Sequence, residues 1–473
     1  MNWPQLIWPA VIMAVGTVLA FVSAPIGAAV ILIGYVWATA RSLPAALAVY
    51  AICAPFPLGL TFHHHHLNLS DLMAIIMAGR LLWNTVRSPG QSLWDRFVKS
   101  PFWRPLVLLM VLSILSLATA LSHSTTVIKI LEYIEFFIVV VAVARQADLD
   151  ESAWKPVLIA LFGIASLLSL YGFYQFLFQV GPHANVVDTY HVRADAVFGQ
   201  PNAFGGFEAM VFPIIAALLA YGPKWAKTWW TWVALALVAL GVIDSFSRGA
   251  WVASMAAVFF MGVLAWTSRG RTSINRKFVV PAVVIPIIGF IIVDLLGKTN
   301  LSHVAVHTYQ TTGERLSSTV GALVHPQHHF DTNQRLLIWK AALHAIKSHP
   351  ILGVGLGGFT RFVALHPVKG LVGLPPMAHD LYLEWGADLG VLGIVAAIWL
   401  EWSWIKHAVS AVMSKARTLS PFQYAMGLGA FGTMVSFIVH DWVDFMIDHG
   451  VIVPLLLALA VVWSLTERRR EQE

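Results

Sequence analysis

Residues 228–245, TWWTWVALALVALGVIDS, carry one ionisable side chain, Asp244, near their end. An α-helix rises about 1.5 Å per residue, so a run of this length covers most of the roughly 30 Å hydrocarbon core of a bilayer. Runs of the same kind recur on both sides of it, at 5–22, 25–40, 43–60, 69–86, 102–121, 127–144, 156–180, 203–221, 250–267, 278–295, 380–404, 422–440 and 449–465. In a solvent that offers no hydrogen bonds, a helix satisfies its own backbone. The fold class read from this pattern is an all-α polytopic membrane protein with about 12–14 transmembrane helices. Composition agrees: 58% of the 473 residues are hydrophobic and only 11% charged, against about a quarter charged in soluble chains. The first run begins beside Met1 without a basic flank, and Arg41 is the first cation. An uncleaved membrane segment is expected there and not a signal peptide. The one cysteine, Cys53, lies in an apolar run, which excludes a disulfide framework.

Orientation follows from the 30 Lys and Arg residues, because basic connections stay on the cytoplasmic side. Arg80, Arg87, Arg96, Lys99 and Arg104 share one connection, Arg269, Arg271, Arg276 and Lys277 another, and Arg468 to Arg470 close the chain. Both termini are then expected to be cytoplasmic, with Arg193, Arg248 and the long polar segment 297–378 outside. The chain divides into an N-terminal transmembrane bundle (1–296), an extracytoplasmic loop domain (297–378) and C-terminal transmembrane helices with a cytoplasmic tail (379–473). The net charge of +6 is on this reading a topology signal, and no basic, aromatic surface points to nucleic acid. Within the external segment, Arg335 to Lys347 (RLLIWKAALHAIK) has apolar residues at 336, 339, 343 and 346 and stops at His349-Pro350. That spacing predicts an amphipathic helix against the outer membrane surface.

Three arginines lie at or beyond outer span ends, where an unpaired guanidinium is costly. Arg193 precedes FGQPNAFGGF (198–207), Arg248 sits in SRGAWVA (247–253), and Arg335 opens the amphipathic helix. Each alone could snorkel or pair with a neighbour such as Asp195 or Asp244. Three on one face suit a clamp for phosphate, which the planar guanidinium binds bidentately. His379 precedes the run at 380, and a neutral imidazole there could take a proton from a hydroxyl, with Asp380 to orient it. The alternative is a capping or structural histidine. Arg315, Asp380 and Asp444 are candidates for support. Asp441, Asp444 and Asp448, at i, i+3 and i+7, would share one helix face, and Lys129 would pair with Glu132 or Glu135. His63 to His66 could hold a metal but read better as a solvated loop. GVGLGG (353–358) lacks the strand and Lys-Ser/Thr ending of a phosphate loop and reads as a turn.

The strings FGQPNAFGG, SRGAWVA, NQRLLIWKAALHAIKSHPILGVGLGGF (333–359) and HDLYLEWGADLGVLG (379–393) resemble the O-antigen ligase and O-antigen polymerase superfamily, over about residues 130–450. Two positions depart from the family pattern, Asp380 where Asn is usual and Asp388 where Glu is usual. The resemblance implies a GT-C-like helical fold. It also implies an inverting, metal-independent glycosyltransferase without cofactor, and transfer of a glycan from an undecaprenyl (polyprenyl)-pyrophosphate donor to an acceptor hydroxyl at the outer face of a bacterial cytoplasmic membrane. Its implied roles are His379 as base and Arg193, Arg248 and Arg335 for the pyrophosphate. Ligase, polymerase and protein O-glycosyltransferase readings share these signals. A lipid or glycan transporter is disfavoured, because the distinctive residues cluster at one face and not at the midplane, and no matched pair of broken helices marks two halves.

Overall fold

The protein is described by a computed structural model over residues 4–20, 22–56, 59–62, 65–87, 97–98, 100–146, 150–181, 186–187, 191–268, 283–297, 330–415, 418–447 and 450–470. Its helices are α1 (Pro4–Ala20), α2 (Ala24–Arg41), α3 (Leu43–Cys53), α4 (Leu69–Arg87), α5 (Trp103–Leu115), α6 (His123–Gln146), α7 (Glu151–Phe178), α8 (Pro201–Tyr221), α9 (Trp229–Asp244), α10 (Arg248–Ser268), α11 (Ile285–Gly297), α12 (Phe330–Ser348), α13 (Phe359–Leu365), α14 (Leu381–Leu389), α15 (Val391–Lys415), α16 (Pro421–Asp441) and α17 (Val453–Arg470). Two small antiparallel hairpins interrupt them, β1 (Gly59–Phe62) with β2 (His65–Asn68), and β3 (Val186–Val187) with β4 (His191–Val192). Among the described residues α7, α8, α10 and α16 are long and apolar enough to cross a membrane, and shorter apolar helices flank them. The expected all-α polytopic class describes the molecule.

Helix ends follow local sequence. Pro201 starts α8 and Pro421 starts α16, each at a first-turn position where its missing N–H costs nothing. Ser420 and Gln423 form a reciprocal capping box at α16, and Asp150 caps α7 through Ser152 N. The centre is α8, buried from Phe204 to Tyr221 and packed against α16 and α10. Small residues make that approach possible. A Cβ on Gly432 would come 2.1 Å from Met261 Sδ and 2.6 Å from Pro213 Cβ, the close backbone packing by which helices associate in lipid. On α10, Val252, Met255 and Phe259 point outward and stay exposed, as a lipid-facing side requires.

Several expected spans change shape. The run at 380–404 is two helices, because Gly390 takes φ 75 and breaks it. Val391 N then donates to Pro350 O at 2.9 Å, docking the break on the end of α12. In the run at 43–60 helix α3 ends at Cys53, and in the run at 278–295 helix α11 begins at Ile285, residues 278–282 lying outside the described residues. Asp441, Asp444 and Asp448 do not share a helix face: α16 ends at Asp441 and Asp444 lies in the turn that follows, while Asp448 is outside the described residues. Of the histidine run, His65 and His66 begin β2, and His63 and His64 are outside the described residues.

Candidate active site

The amphipathic segment is helix α12, which starts at Phe330, five residues ahead of the expected Arg335, and ends as expected before His349-Pro350. Beyond it the Gly-rich stretch is a turn. Gly353, Gly355 and Gly357 adopt φ of 64, 93 and 73, a region that favours glycine. Asp388 holds this turn by accepting from Gly357 N at 2.6 Å and Phe359 N at 3.1 Å. The turn also docks on the α5–α6 junction through Leu121 N to Val354 O (3.0 Å) and Leu356 N to Ser116 Oγ (3.2 Å).

His379 sits on a turn fixed at both flanks. Ala378 N donates to Glu384, and Asp380 caps α14 by accepting from Leu383 N at 2.8 Å. His379 has φ 53, a left-handed value costly for a residue with a Cβ and found where surrounding structure enforces it. Its Nδ1 bonds Asp444 Oδ1 at 2.7 Å. The carboxylate that orients His379 is therefore Asp444, and the expected partner Asp380 is spent on the helix cap. Burial pushes the Asp380 carboxyl up, offset by the amides of Leu383 and Tyr382.

Asp444 is 1% exposed and fully partnered. Its Oδ1 also accepts from Phe445 N at 3.0 Å, its Oδ2 accepts from Asn202 Nδ2 at 2.5 Å, and Arg335 Nη2 lies 3.6 Å from Oδ2. Burial acts to raise its carboxyl pKa, yet the hydrogen bond and charge of His379, followed by Arg335, hold it well below the usual carboxylate range. Arg335 Nη1 also donates to Val443 O. Asn202, at the start of α8, extends the chain of contacts, since its Oδ1 accepts from Arg193 Nη2 at 2.8 Å while its Nδ2 serves Asp444. Only one orientation of the amide satisfies both partners. Arg193 Nε donates to Ser245 O at 3.0 Å, tying Arg193 to the turn before α10.

Arg248 is the first residue of α10, behind the N-terminal cap of Ser247, whose Oγ accepts from Ala250 N at 3.3 Å. Next to it, Gly249 lies so close to His440 that a Cβ there would come 2.6 Å from the ring. Neither oxygen of Asp244 finds a hydrogen-bond partner among the described residues, so the alternative pairing of Arg248 with Asp244 is not a hydrogen bond. Asp195 is bonded by Gln175 Nε2 at 2.7 Å. Lys129 pairs with Glu132 at 2.7 Å, and Glu135 accepts from Tyr50 at 3.1 Å. Arg315 lies outside the described residues. No group of His, Cys, Asp and Glu among the described residues is arranged to hold a metal.

The site thus joins Arg193, Asn202, Arg335, His379 and Asp444 from five separate segments. Asn202 was missed by sequence reasoning, although it lies inside the PNAFGG string quoted above. The Nδ1 of His379 faces the buried carboxylate of Asp444, with the Arg335 guanidinium alongside.

Two comparisons bear on this arrangement. Residues 233–398 match the family model described as O-antigen ligase, a range that holds Arg248, Arg335 and His379. The chain is also 26% identical over 296 residues to the General O-oligosaccharyltransferase of Acinetobacter baylyi (strain ATCC 33305 / BD413 / ADP1). That alignment covers 59% of this chain and 49% of the relative, so the chain spans about half the length of the curated relative it matches.

Proposed function

We propose, from the premise that the chain belongs to the O-antigen ligase superfamily, that it moves a glycan from a polyprenyl-pyrophosphate donor to an acceptor hydroxyl at the outer face of the cytoplasmic membrane. Membership supports glycan transfer in surface-glycan assembly. The lipid-linked donor is our own inference. An external active site has no nucleotide supply, so its donor must arrive already activated and already in the membrane.

The observation that carries the reading is the His379–Asp444 bond within reach of Arg335 and, through Asn202, of Arg193. With Asp444 ionised, Nδ1 must be the donor of that bond, which leaves the Nε2 lone pair free. Nε2 takes the proton of the acceptor hydroxyl as its oxygen attacks the anomeric carbon. The bond from that carbon to the pyrophosphate oxygen breaks, and the leaving group departs with its electron pair toward Arg193, Arg248 and Arg335. Attack opposite the leaving group inverts the anomeric centre. Asp444 stabilises the imidazolium formed, as a triad carboxylate does, and each well-placed cationic donor is worth roughly 3–4 kcal/mol to the departing charge. No metal or other cofactor enters the scheme.

The test is transfer by the purified protein from an undecaprenyl-pyrophosphate oligosaccharide to an acceptor glycan, compared with His379→Ala. Transfer that survives the substitution would remove the assignment. The likeness to an O-oligosaccharyltransferase favours a second reading, in which a preassembled oligosaccharide passes to a protein hydroxyl by the same chemistry. Offering acceptor glycan and acceptor polypeptide side by side separates the two.

A further inference from the structure

A cavity of about 510 Å³, within the 300–1,000 Å³ range of small-molecule sites, is lined in part by Met377 and Phe445. One wall is the start of α6, where Ser122, Thr125 and Lys129 recur at i, i+3 and i+7 on one face. An adjoining wall is the Gly-rich turn and α13, with Gly357, Thr360 and Arg361. Met377, Phe445 and Leu374 supply apolar surface, and Glu384, bonded to the amide of Ala378, also lines it. Met377 is two residues before His379 and Phe445 directly follows Asp444. None of the three clamp arginines lines the cavity.

The walls are built and not loosely apposed. Thr360 Oγ1 donates to Pro375 O and Pro376 O (3.0 and 2.9 Å), fixing the loop that carries Met377. Ser122 and Thr125 hydroxyls share a 2.8 Å bond. Lys129 already pairs with Glu132, whereas Arg361 is exposed and makes no hydrogen bond or ion pair among the described residues. This composition fits a sugar ring: C–H faces against Phe445 and Met377, ring hydroxyls toward Ser122 and Thr125, and a negative substituent toward Arg361 with Lys129 behind it.

We infer that this cavity is the acceptor subsite and that it takes a sugar bearing a carboxylate or phosphate, with Arg361 as its specificity-determining cation. The inference rests on the glycosyl-transfer reading, because the arginines assigned to the donor do not line this cavity, whereas Met377 and Phe445, neighbours in sequence of His379 and Asp444, do. Both anionic substituents offer the same chemistry to Arg361, and the experiment tells them apart.

The experiment is saturation-transfer NMR on the purified full-length protein in detergent, with methyl β-D-glucuronide, glucose 6-phosphate and methyl β-D-glucoside as probes. At least one anionic probe should bind about tenfold more tightly than the neutral glycoside, and whichever binds names the substituent. Arg361→Gln should abolish the preference at unchanged melting temperature, Arg361→Lys should keep most of it, and His379→Ala should leave binding intact. Equal binding of all three probes, no binding of either anion, or an unchanged preference in Arg361→Gln overturns the inference. Binding is read without turnover. A protein that shows the preference but transfers no glycan refutes the enzymatic reading and keeps an anionic-sugar site without its acceptor role, and one that transfers glycan without the preference overturns the inference and keeps the enzymatic reading.

Discussion

Asp444 and His379 meet at 2.7 Å across 65 residues of chain, and the carboxylate has no exposed edge left for water. An imidazole anchored this way has one tautomer and one free nitrogen.

His379→Ala should therefore lower the transfer rate by about 10²–10⁴-fold with donor affinity little changed, since a base acts in the transition state. Asp444→Asn keeps the shape and removes the charge, and should lower kcat by at least about 10²-fold. Steady-state kinetics with the lipid-linked donor decide it. Equal falls in kcat and kcat/KM mark a transition-state role, whereas a KM that rises in step with a constant kcat marks a ligand.

Asn202 is the bridge between Arg193 and Asp444. Asn202→Ala unlinks them, and the expected result is a loss of transfer of about 10²–10³-fold, comparable to removing one charge-stabilising donor. Arg193→Lys and Arg335→Lys should recover only part of what the alanine variants lose, because a lysine cannot present the bidentate fork. Full activity in the Asn202 variant would mean that the bridge is ornamental to catalysis.

The depressed carboxyl of Asp444 predicts a pH dependence of stability. Its folded pKa is below the unfolded value of about 3.9, so its contribution is complete above that value and is lost only as pH falls toward the folded one. In thermal melts of detergent-solubilised protein, the gap between wild type and Asp444→Asn should stay constant from about pH 8 to pH 5 and close below about pH 4. A gap that closes already at pH 6 assigns the effect to another group.

Gly353→Ala should be destabilising by more than about 1 kcal/mol. Residue 353 has φ 64, and a Cβ there would lie 2.2 Å from the carbonyl carbon of Asp388, backbone that cannot yield cheaply. A melting temperature equal to wild type contradicts this packing.

Topology has its own check. Helix α8 starts at the site with Pro201 and ends at Tyr221, about 31 Å away at 1.5 Å per residue. With Cys53 replaced, Lys369→Cys should react with an impermeant maleimide in spheroplasts and Lys224→Cys only after lysis. The reverse pattern would move the site to the cytoplasm and remove the argument for a lipid-linked donor.

Helix α12 was legible because apolar spacing and His349-Pro350 are local signals, and the Gly-rich turn because it lacked the flanks of a phosphate loop. The partner of His379 was not legible. Asp380 is adjacent in sequence, but its backbone is extended at φ −168 and ψ 124, which sends its side chain away from that of its neighbour and onto the helix cap. Asp444 was visible as one of three spaced acids, but reading them as one helix face ran past the end of the 422–440 run, which the structure keeps to within one residue by ending α16 at Asp441. Asn202 carried no signal of its own, since its partner lies 242 residues on and short polar residues before a helix usually serve as caps. The break at Gly390 was hidden because helix-compatible residues flank it on both sides.

The Asn202–Asp444 contact joins residues 242 positions apart, and a ribosome delivers them in that order. Arg193 and Asn202 leave the ribosome with α8, while the carboxylate that fixes the base follows only behind α16. Until then the nascent chain holds the cations and His379 without the carboxylate that orients the imidazole. A chain halted or misinserted before α16 carries His379 without its orienting carboxylate, so the reach of that single hydrogen bond ties full assembly of the site to completion of the membrane bundle.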